Sequence, residues 1–76
     1  MKEYRLFVQS MYDRSIGFYE TYGISVFESG EMTRIIRDIS LERDKVEALA
    51  DRFNAEQPDT DHLDQLIEEF LYDFSV

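Results

Sequence analysis

The chain lacks cysteine and tryptophan and has one proline and three glycines among its 76 residues. Without cysteine, neither a disulfide nor a thiolate metal site can reinforce the fold. A chain of this length forms one domain (residues 1–76) and buries only about 60% of the surface that the unfolded chain exposes. We therefore expect a core held by hydrophobic packing alone, to which six Phe and five Tyr contribute large side chains.

Long apolar segments are also missing. The longest runs, such as Leu6-Phe7-Val8, have three residues, whereas a membrane-spanning helix needs about 20. The sequence shows no secretory signal and no lipidation motif. We expect a cytoplasmic protein that does not bind a membrane.

Basic side chains are scarce. The sequence has 8 Lys and Arg against 17 Asp and Glu, which gives a formal net charge of −9. Residues 39–76 carry three basic and eleven acidic side chains, whereas residues 1–38 are nearly balanced. Such a surface repels phosphates, so direct binding to DNA or RNA is not expected. It would attract a basic partner and accelerate the encounter with it.

Alternating side chains predict three strands in the first half of the chain, at residues 3–12, 18–28 and 32–39. The connections are too short for crossovers, so we expect an antiparallel meander. The first strand has apolar residues on both faces, which predicts that each face of the sheet is at least partly covered. Gly23 interrupts the second strand and indicates a bulge or a close approach of another backbone.

The apolar period then lengthens to about 3.6 residues, which predicts helices at residues 41–56 and 60–74. Ser40 is the expected cap of the first helix, and Pro58 separates the two. The apolar stripe of the first helix comprises Val46, Leu49, Ala50 and Phe53; that of the second comprises Leu63, Leu66, Ile67, Phe70, Leu71 and Phe74. We predict an α+β fold of order βββαα, a three-stranded antiparallel meander followed by a helical hairpin packed on one sheet face.

Residue sets typical of active sites are not found. His62 is the only histidine, and a general base or metal ligand needs partners that the sequence does not supply. Asp59-Thr60-Asp61 resembles the opening of a calcium loop, but its sixth and twelfth positions hold Asp64 and Phe70 instead of Gly and Glu. The glycines form no phosphate-binding motif. We therefore expect no catalytic residues, no cofactor and no metal, and a protein that is not an enzyme.

Two groups of side chains are candidates for an interaction surface. Exposed tyrosines are common at protein interfaces, and the candidates on the strands are Tyr4, Tyr12, Tyr19 and Tyr22. An acidic face of the second helix would comprise Asp61, Asp64, Glu68 and Asp73. The alternatives stay open: the tyrosines as core or rim residues, and the acidic face as ordinary solvated surface.

Several short motifs together resemble a family of small uncharacterised bacterial proteins, found mainly in Firmicutes and described as a domain of unknown function. The motifs are Tyr22-Gly23-Ile24, Asp38-Ile39-Ser40, Val46 with Leu49, His62-Leu63 and Ile67-Glu68-Glu69-Phe70-Leu71. The resemblance spans residues 4–72 and implies a bacterial, cytoplasmic protein. It carries over no activity, cofactor or catalytic residue.

These observations predict a non-catalytic module for protein–protein interaction or regulation. Its partner would be another protein, for which the acidic surface favours a basic one. The aromatic surplus leaves a homodimer open. The alternative is an acidic mimic of nucleic acid, or an antitoxin-like inhibitor, that blocks a basic nucleic-acid-binding protein.

Overall fold

The computed structural model describes residues 1–74, with side chains as far as Tyr72. Three strands are followed by two helices, and a short 3-10 turn precedes the second helix. The elements are β1 (Lys2–Asp13), β2 (Gly17–Glu28), β3 (Glu31–Ser40), α1 (Arg43–Glu56), the 3-10 turn (Thr60–His62) and α2 (Leu63–Phe74). The predicted α+β fold of order βββαα is confirmed.

The strands form one antiparallel sheet in the order β1-β2-β3. Tyr4 lies opposite Val26 and Leu6 opposite Ile24, so the even-numbered residues of β1 and β2 share one face. In the turn between β1 and β2, the Ser15 N–H donates a 2.7 Å hydrogen bond to Asp13 Oδ1.

Both helices pack on this even-numbered face. The α1 stripe is confirmed because all four of its predicted members are buried. Among the described side chains of α2, only Leu63 and Ile67 are buried, and the other described members of its stripe are half-buried. The core comprises Tyr4, Ile24, Val26, Ile39, Val46, Leu49, Ala50, Phe53, Leu63 and Ile67. Phe74, the last predicted member of the α2 stripe, has a side chain outside the described ones.

The start of α1 differs from the prediction. Ser40 remains the last residue of β3, and its Oγ accepts a 3.1 Å hydrogen bond from the Glu42 N–H. Glu42 occupies the N-cap position but makes no side-chain capping bond. At the other end Gln57 adopts a left-handed conformation (φ 51°) before Pro58, so the predicted stop is correct.

A bulge in β3 accommodates Gly23. Ile24 pairs with Ile36 and Tyr22 with Ser40, so β3 uses four residues where β2 uses two. A β-carbon at position 23 would overlap the carbonyl oxygen of Ile36. Gly23 therefore permits the close backbone approach that the sequence predicted, and the bulge forms on the strand opposite it.

Within the described residues, no helix is long and apolar enough to cross a membrane.

Candidate interaction surface

No described helix covers the odd-numbered face of the sheet. The core side chains of β1 and β2 lie on the even-numbered face, and successive strand residues point to opposite faces. The surface on the other side is here called the open face. Its large side chains are Arg5, Phe7, Met11, Tyr19, Phe27, Ile35 and, through its contact with the Phe7 ring, Arg37.

Two arginines lie against two phenylalanines of the open face. The guanidinium carbon of Arg5 is 4.3 Å from the ring centroid of Phe27, and that of Arg37 is 5.5 Å from the centroid of Phe7. Contacts of this kind hold both the ring and the cation in place. Arg5 also forms an exposed ion pair with Glu3, at 2.6 Å. The open face thus presents positioned aromatic and guanidinium groups.

Small residues occupy the centre of the open face along β2. Thr21, Gly23 and Ser25 are buried although no described helix lies above them, because larger side chains of β1 and β3 flank them. The Thr21 hydroxyl donates a 2.6 Å hydrogen bond to Asp38 Oδ1 across the β3 bulge. Among the described residues, no buried side-chain polar atom lacks a hydrogen-bond partner. The centre of the open face is therefore recessed and bordered by apolar side chains, and its buried polar side-chain atoms have hydrogen-bond partners within the chain.

The two sides of the molecule differ in charge. On the open face Arg5 and Arg37 are offset by their acidic neighbours Glu3 and Asp38. Residues 39–76, which include both helices, hold three basic and eleven acidic side chains. The excess negative charge therefore lies mainly on the helical side and leaves the open face nearly neutral.

The four tyrosines predicted for an interface fall in four different environments. Tyr4 is only 2% exposed and belongs to the core, with its ring edge-on to Phe53 at 5.3 Å. This corrects its assignment to a surface. Tyr22 is half-buried against the core, on the helical side. Tyr12 is exposed near the tip of the β1–β2 hairpin, and Tyr19 alone lies on the open face.

The predicted acidic face is only partly free. Asp64 forms a 2.7 Å ion pair with Arg34 of β3, whose guanidinium also reaches the Thr60 carbonyl at 3.4 Å. Asp61 and Glu68 are exposed. The side chain of Asp73 lies outside the described ones. The Arg34–Asp64 pair secures the start of α2 beside β3.

Two further features are the single histidine of the sequence and a surface depression. His62 is exposed at the end of the 3-10 turn. A depression of about 370 Å³ near the start of β1 is lined by residues that include Lys2, Tyr4 and Asn54. In the described part of the chain, no group of three or more His, Asp or Glu residues is placed to hold a metal ion.

Comparison with family models, with curated proteins and with solved structures finds no match. The resemblance to a small bacterial family therefore stays a prediction.

Sequence reasoning assigned the apolar residues of β1 to both faces but did not assemble the open face. Ile35 joins it only through the register of β3 with β2, and Arg37 only through the bulge that brings it over the Phe7 ring. The signal available in the sequence was the apolar odd-numbered set of β1, notably Phe7 and Met11. Those residues predicted that something packs on the odd-numbered face, whereas the described helices pack only on the even-numbered face.

Proposed function

We propose that this chain is a non-catalytic, cytoplasmic interaction or regulatory module that binds another protein through the open face. One observation carries the proposal: aromatic and aliphatic side chains lie half-buried, outside the core and under no described helix, on one side of a sheet whose two helices both pack on the other. A chain this small has few apolar residues to spare from its core. Their placement outside it favours a binding role.

The composition of the open face supports a protein partner. Protein interfaces are enriched in aromatic residues, Met and Arg and depleted of Lys, Glu and Asp in their centres. The open face contains Phe7, Phe27, Tyr19 and Met11, with Arg5 and Arg37 held against the rings. Arginine and aromatic side chains are also the usual carriers of binding energy. A fitting partner would offer an apolar patch bordered by carboxylates or backbone carbonyls.

Single-stranded nucleic acid also uses aromatic and arginine side chains. Such surfaces need cations to hold the backbone, and here the two arginines are offset by Glu3 and Asp38 on a chain of net charge −9. These charges disfavour nucleic acid, which enters only as an outcome of the test below.

The alternative function, an acidic mimic of nucleic acid, has weaker support. Its proposed surface loses one unpaired carboxylate because Asp64 pairs with Arg34. Asp61 and Glu68 stay exposed. The alternative predicts a basic partner that is released as salt rises, since exposed charge pairs are screened.

The test is affinity capture from a lysate of the source cell, after nuclease treatment, with low-salt and high-salt washes. Three baits are compared: wild type, Arg5→Ala/Arg37→Ala on the open face, and Arg43→Ala/Arg52→Ala on α1. The last two lose the same charge, and the α1 arginines are exposed with ion-pair partners on their own helix.

We expect a protein that wild type and the α1 variant retain through the high-salt wash. The open-face variant should retain about tenfold less, because arginine is enriched among the few residues that carry binding energy and a loss of about 1.4 kcal/mol lowers the affinity tenfold. Equal retention by all three baits would contradict the proposal. A prey released by salt from every bait would favour the acidic mimic, and loss after nuclease treatment would indicate nucleic acid.

A further inference from the structure

The outer edge of β1 is partly occupied by side-chain amides of the same chain. Asn54 Oδ1 accepts a hydrogen bond from the Tyr4 N–H at 2.7 Å, and its Nδ2 donates to the Tyr4 carbonyl at 2.8 Å. Gln57 pairs with Lys2 in the same way, at 2.8 and 2.7 Å. Each amide imitates the backbone of a neighbouring strand. The first two outward positions of this edge are therefore filled.

The rest of the same edge has no partner in the described residues. In an antiparallel pair, the backbone groups of alternate residues point away from the neighbouring strand. Since the backbone N–H and carbonyl groups of Lys2 and Tyr4 point away from β2, those of the next even-numbered residues of this 12-residue strand do so as well. These are Leu6, Val8, Ser10 and Tyr12, and no described hydrogen bond engages their backbone N–H or carbonyl groups.

The free stretch also lacks the usual protection of an edge. Charged residues make up 33% of the chain, yet Leu6-Phe7-Val8-Gln9-Ser10-Met11-Tyr12 contains none, and no proline or glycine. An uncharged edge of regular geometry is a template for another strand. The opposite edge strand, β3, has two register shifts in the described sheet. It also carries four charged residues: Glu31, Arg34, Arg37 and Asp38.

We propose that a second copy of this chain pairs antiparallel with the β1 edge between Leu6 and Tyr12, which joins two sheets into one of six strands. The pairing has a two-fold axis through Gln9. Leu6 then faces Tyr12 of the second copy, and Val8 faces Ser10. Each such pair exchanges two backbone hydrogen bonds, so all four free positions on both copies are used.

The limits of the free stretch favour an axis through Gln9 over other registers. The first position beyond it toward the N-terminus, Tyr4, is already filled by Asn54. An axis through Val8 would set Tyr4 against Tyr12 and compete with that amide. An axis through Gln9 instead places Arg5 opposite Asp13 of the second copy, a favourable charge pair. The uncharged stretch lets two chains of net charge −9 approach without direct repulsion.

The dimer leaves the open face accessible, so this inference goes beyond the proposed function and does not rest on it. The same register sets Phe7 opposite Met11 of the second copy. The two open faces would then meet across the axis as one larger surface. A partner bound there would contact both chains.

Because the chain has no cysteine, single-cysteine variants test the register directly. At a non-hydrogen-bonded pair the α-carbons are about 4.5 Å apart, within the range that a disulfide spans. Gln9→Cys should therefore form a disulfide-linked dimer rapidly under mild oxidation. Met11→Cys is the matched control, since the two copies of residue 11 lie four residues apart along the paired strands. Equal rates for the two variants would overturn the proposal.

Light scattering after gel filtration gives an independent test on the chain without cysteine. We expect a mass twice the 9.1 kDa of one chain. Val8→Lys should lower the dimer fraction at least tenfold at equal concentration, because a charged side chain on an edge strand opposes pairing with another strand. Met32→Lys on β3 should not, although Val8 and Met32 are similarly exposed, at 46% and 52%. A monomeric wild type at all concentrations, or equal losses in both variants, would overturn the proposal.

Discussion

The carbonyl group of Ile36 lies against the backbone of Gly23, at the point where β3 bulges. A β-carbon at position 23 would overlap the carbonyl oxygen and lie 3.1 Å from the carbonyl carbon. Glycine usually weakens the middle of a strand. Here it lets β3 take two extra residues, which places Asp38 beside Thr21 and Arg37 near Phe7.

Gly23→Ala should destabilise the fold by about 3 kcal/mol or more, because the added methyl group meets rigid backbone. Gly17→Ala is the control. Gly17 has a φ of 82° but nothing within 4 Å of an added β-carbon, so its substitution should cost only about 1–2 kcal/mol of backbone strain. Chemical denaturation of both variants measures the difference. A loss at Gly23 no larger than that at Gly17 would show that the backbones are less close than described.

The Thr21–Asp38 hydrogen bond should stabilise the bulge. Asp38 has a φ of 54°, which glycine also adopts readily. Thr21→Val keeps the shape of a fully buried side chain but removes the 2.6 Å hydrogen bond, and it should cost about 1–3 kcal/mol. In an Asp38→Gly background the same change should cost at least about 1 kcal/mol less. A double-mutant cycle from denaturant unfolding checks this, and additive effects would mean that the two groups do not interact.

Asn54 should contribute more to stability than its half-exposed position on α1 suggests. Asn54→Ala leaves the N–H and carbonyl of Tyr4 without their two hydrogen bonds, and we expect a loss of about 1–3 kcal/mol. Gln65→Ala removes an exposed amide of α2 that makes only a 3.4 Å contact with Glu69, and it should change stability by less than about 0.5 kcal/mol. Equal thermal unfolding of the two variants would count against the amide pairing at the β1 edge.

Burial of Tyr4 makes the stability of the fold sensitive to alkaline pH. Desolvation, and secondarily the nearby Glu28 carboxylate, raise the pKa of the Tyr4 phenol above its usual value. The folded state thus favours the neutral phenol, and its contribution is complete below the unfolded pKa of about 10. The contribution is lost as the pH rises through the folded pKa.

Tyr4→Phe should therefore flatten the decline of unfolding free energy above about pH 10. Tyr72→Phe removes a hydroxyl from a ring that is 74% exposed, and we expect it to follow wild type. Denaturant unfolding between neutral and alkaline pH compares the three proteins. If the unfolding free energy of Tyr4→Phe declined as steeply as that of wild type, the decline would come from other titrating groups.

The elements were predictable because their signals are local. Alternation over residues 3–12 and the 3.6-residue period of Val46, Leu49 and Phe53 depend on neighbours in sequence alone. Gly23 predicted a bulge or a close backbone approach, because glycine weakens the interior of a strand unless the local geometry requires it. The prediction that Ser40 caps α1 was wrong. Ser40 is the last residue of β3, and its hydroxyl accepts a hydrogen bond from the N–H of Glu42, which occupies the N-cap position.

The surfaces were harder to predict because they depend on contacts distant in sequence. Asn54 and Tyr4 are 50 residues apart, and no periodicity links them. Alternation separates the two faces of β1 but does not say which face the helices cover. The sequence therefore left Tyr4 open as an interface or a core residue, and its contact with Phe53 of α1 places it in the core. The open face, in turn, depends on the register of three strands.

The central claim is that the open face, and not the helical side, binds a protein partner. Hydroxyl-radical footprinting of the captured complex tests it most directly, since aromatic and sulfur-containing side chains report their own exposure. We expect Met11, Tyr19 and Phe27 to react less in the complex than in the free protein, while Tyr72 of α2 reacts equally in both. Protection of Tyr72 with unchanged reactivity of Met11 and Phe27 would contradict the claim and place the partner on the helices.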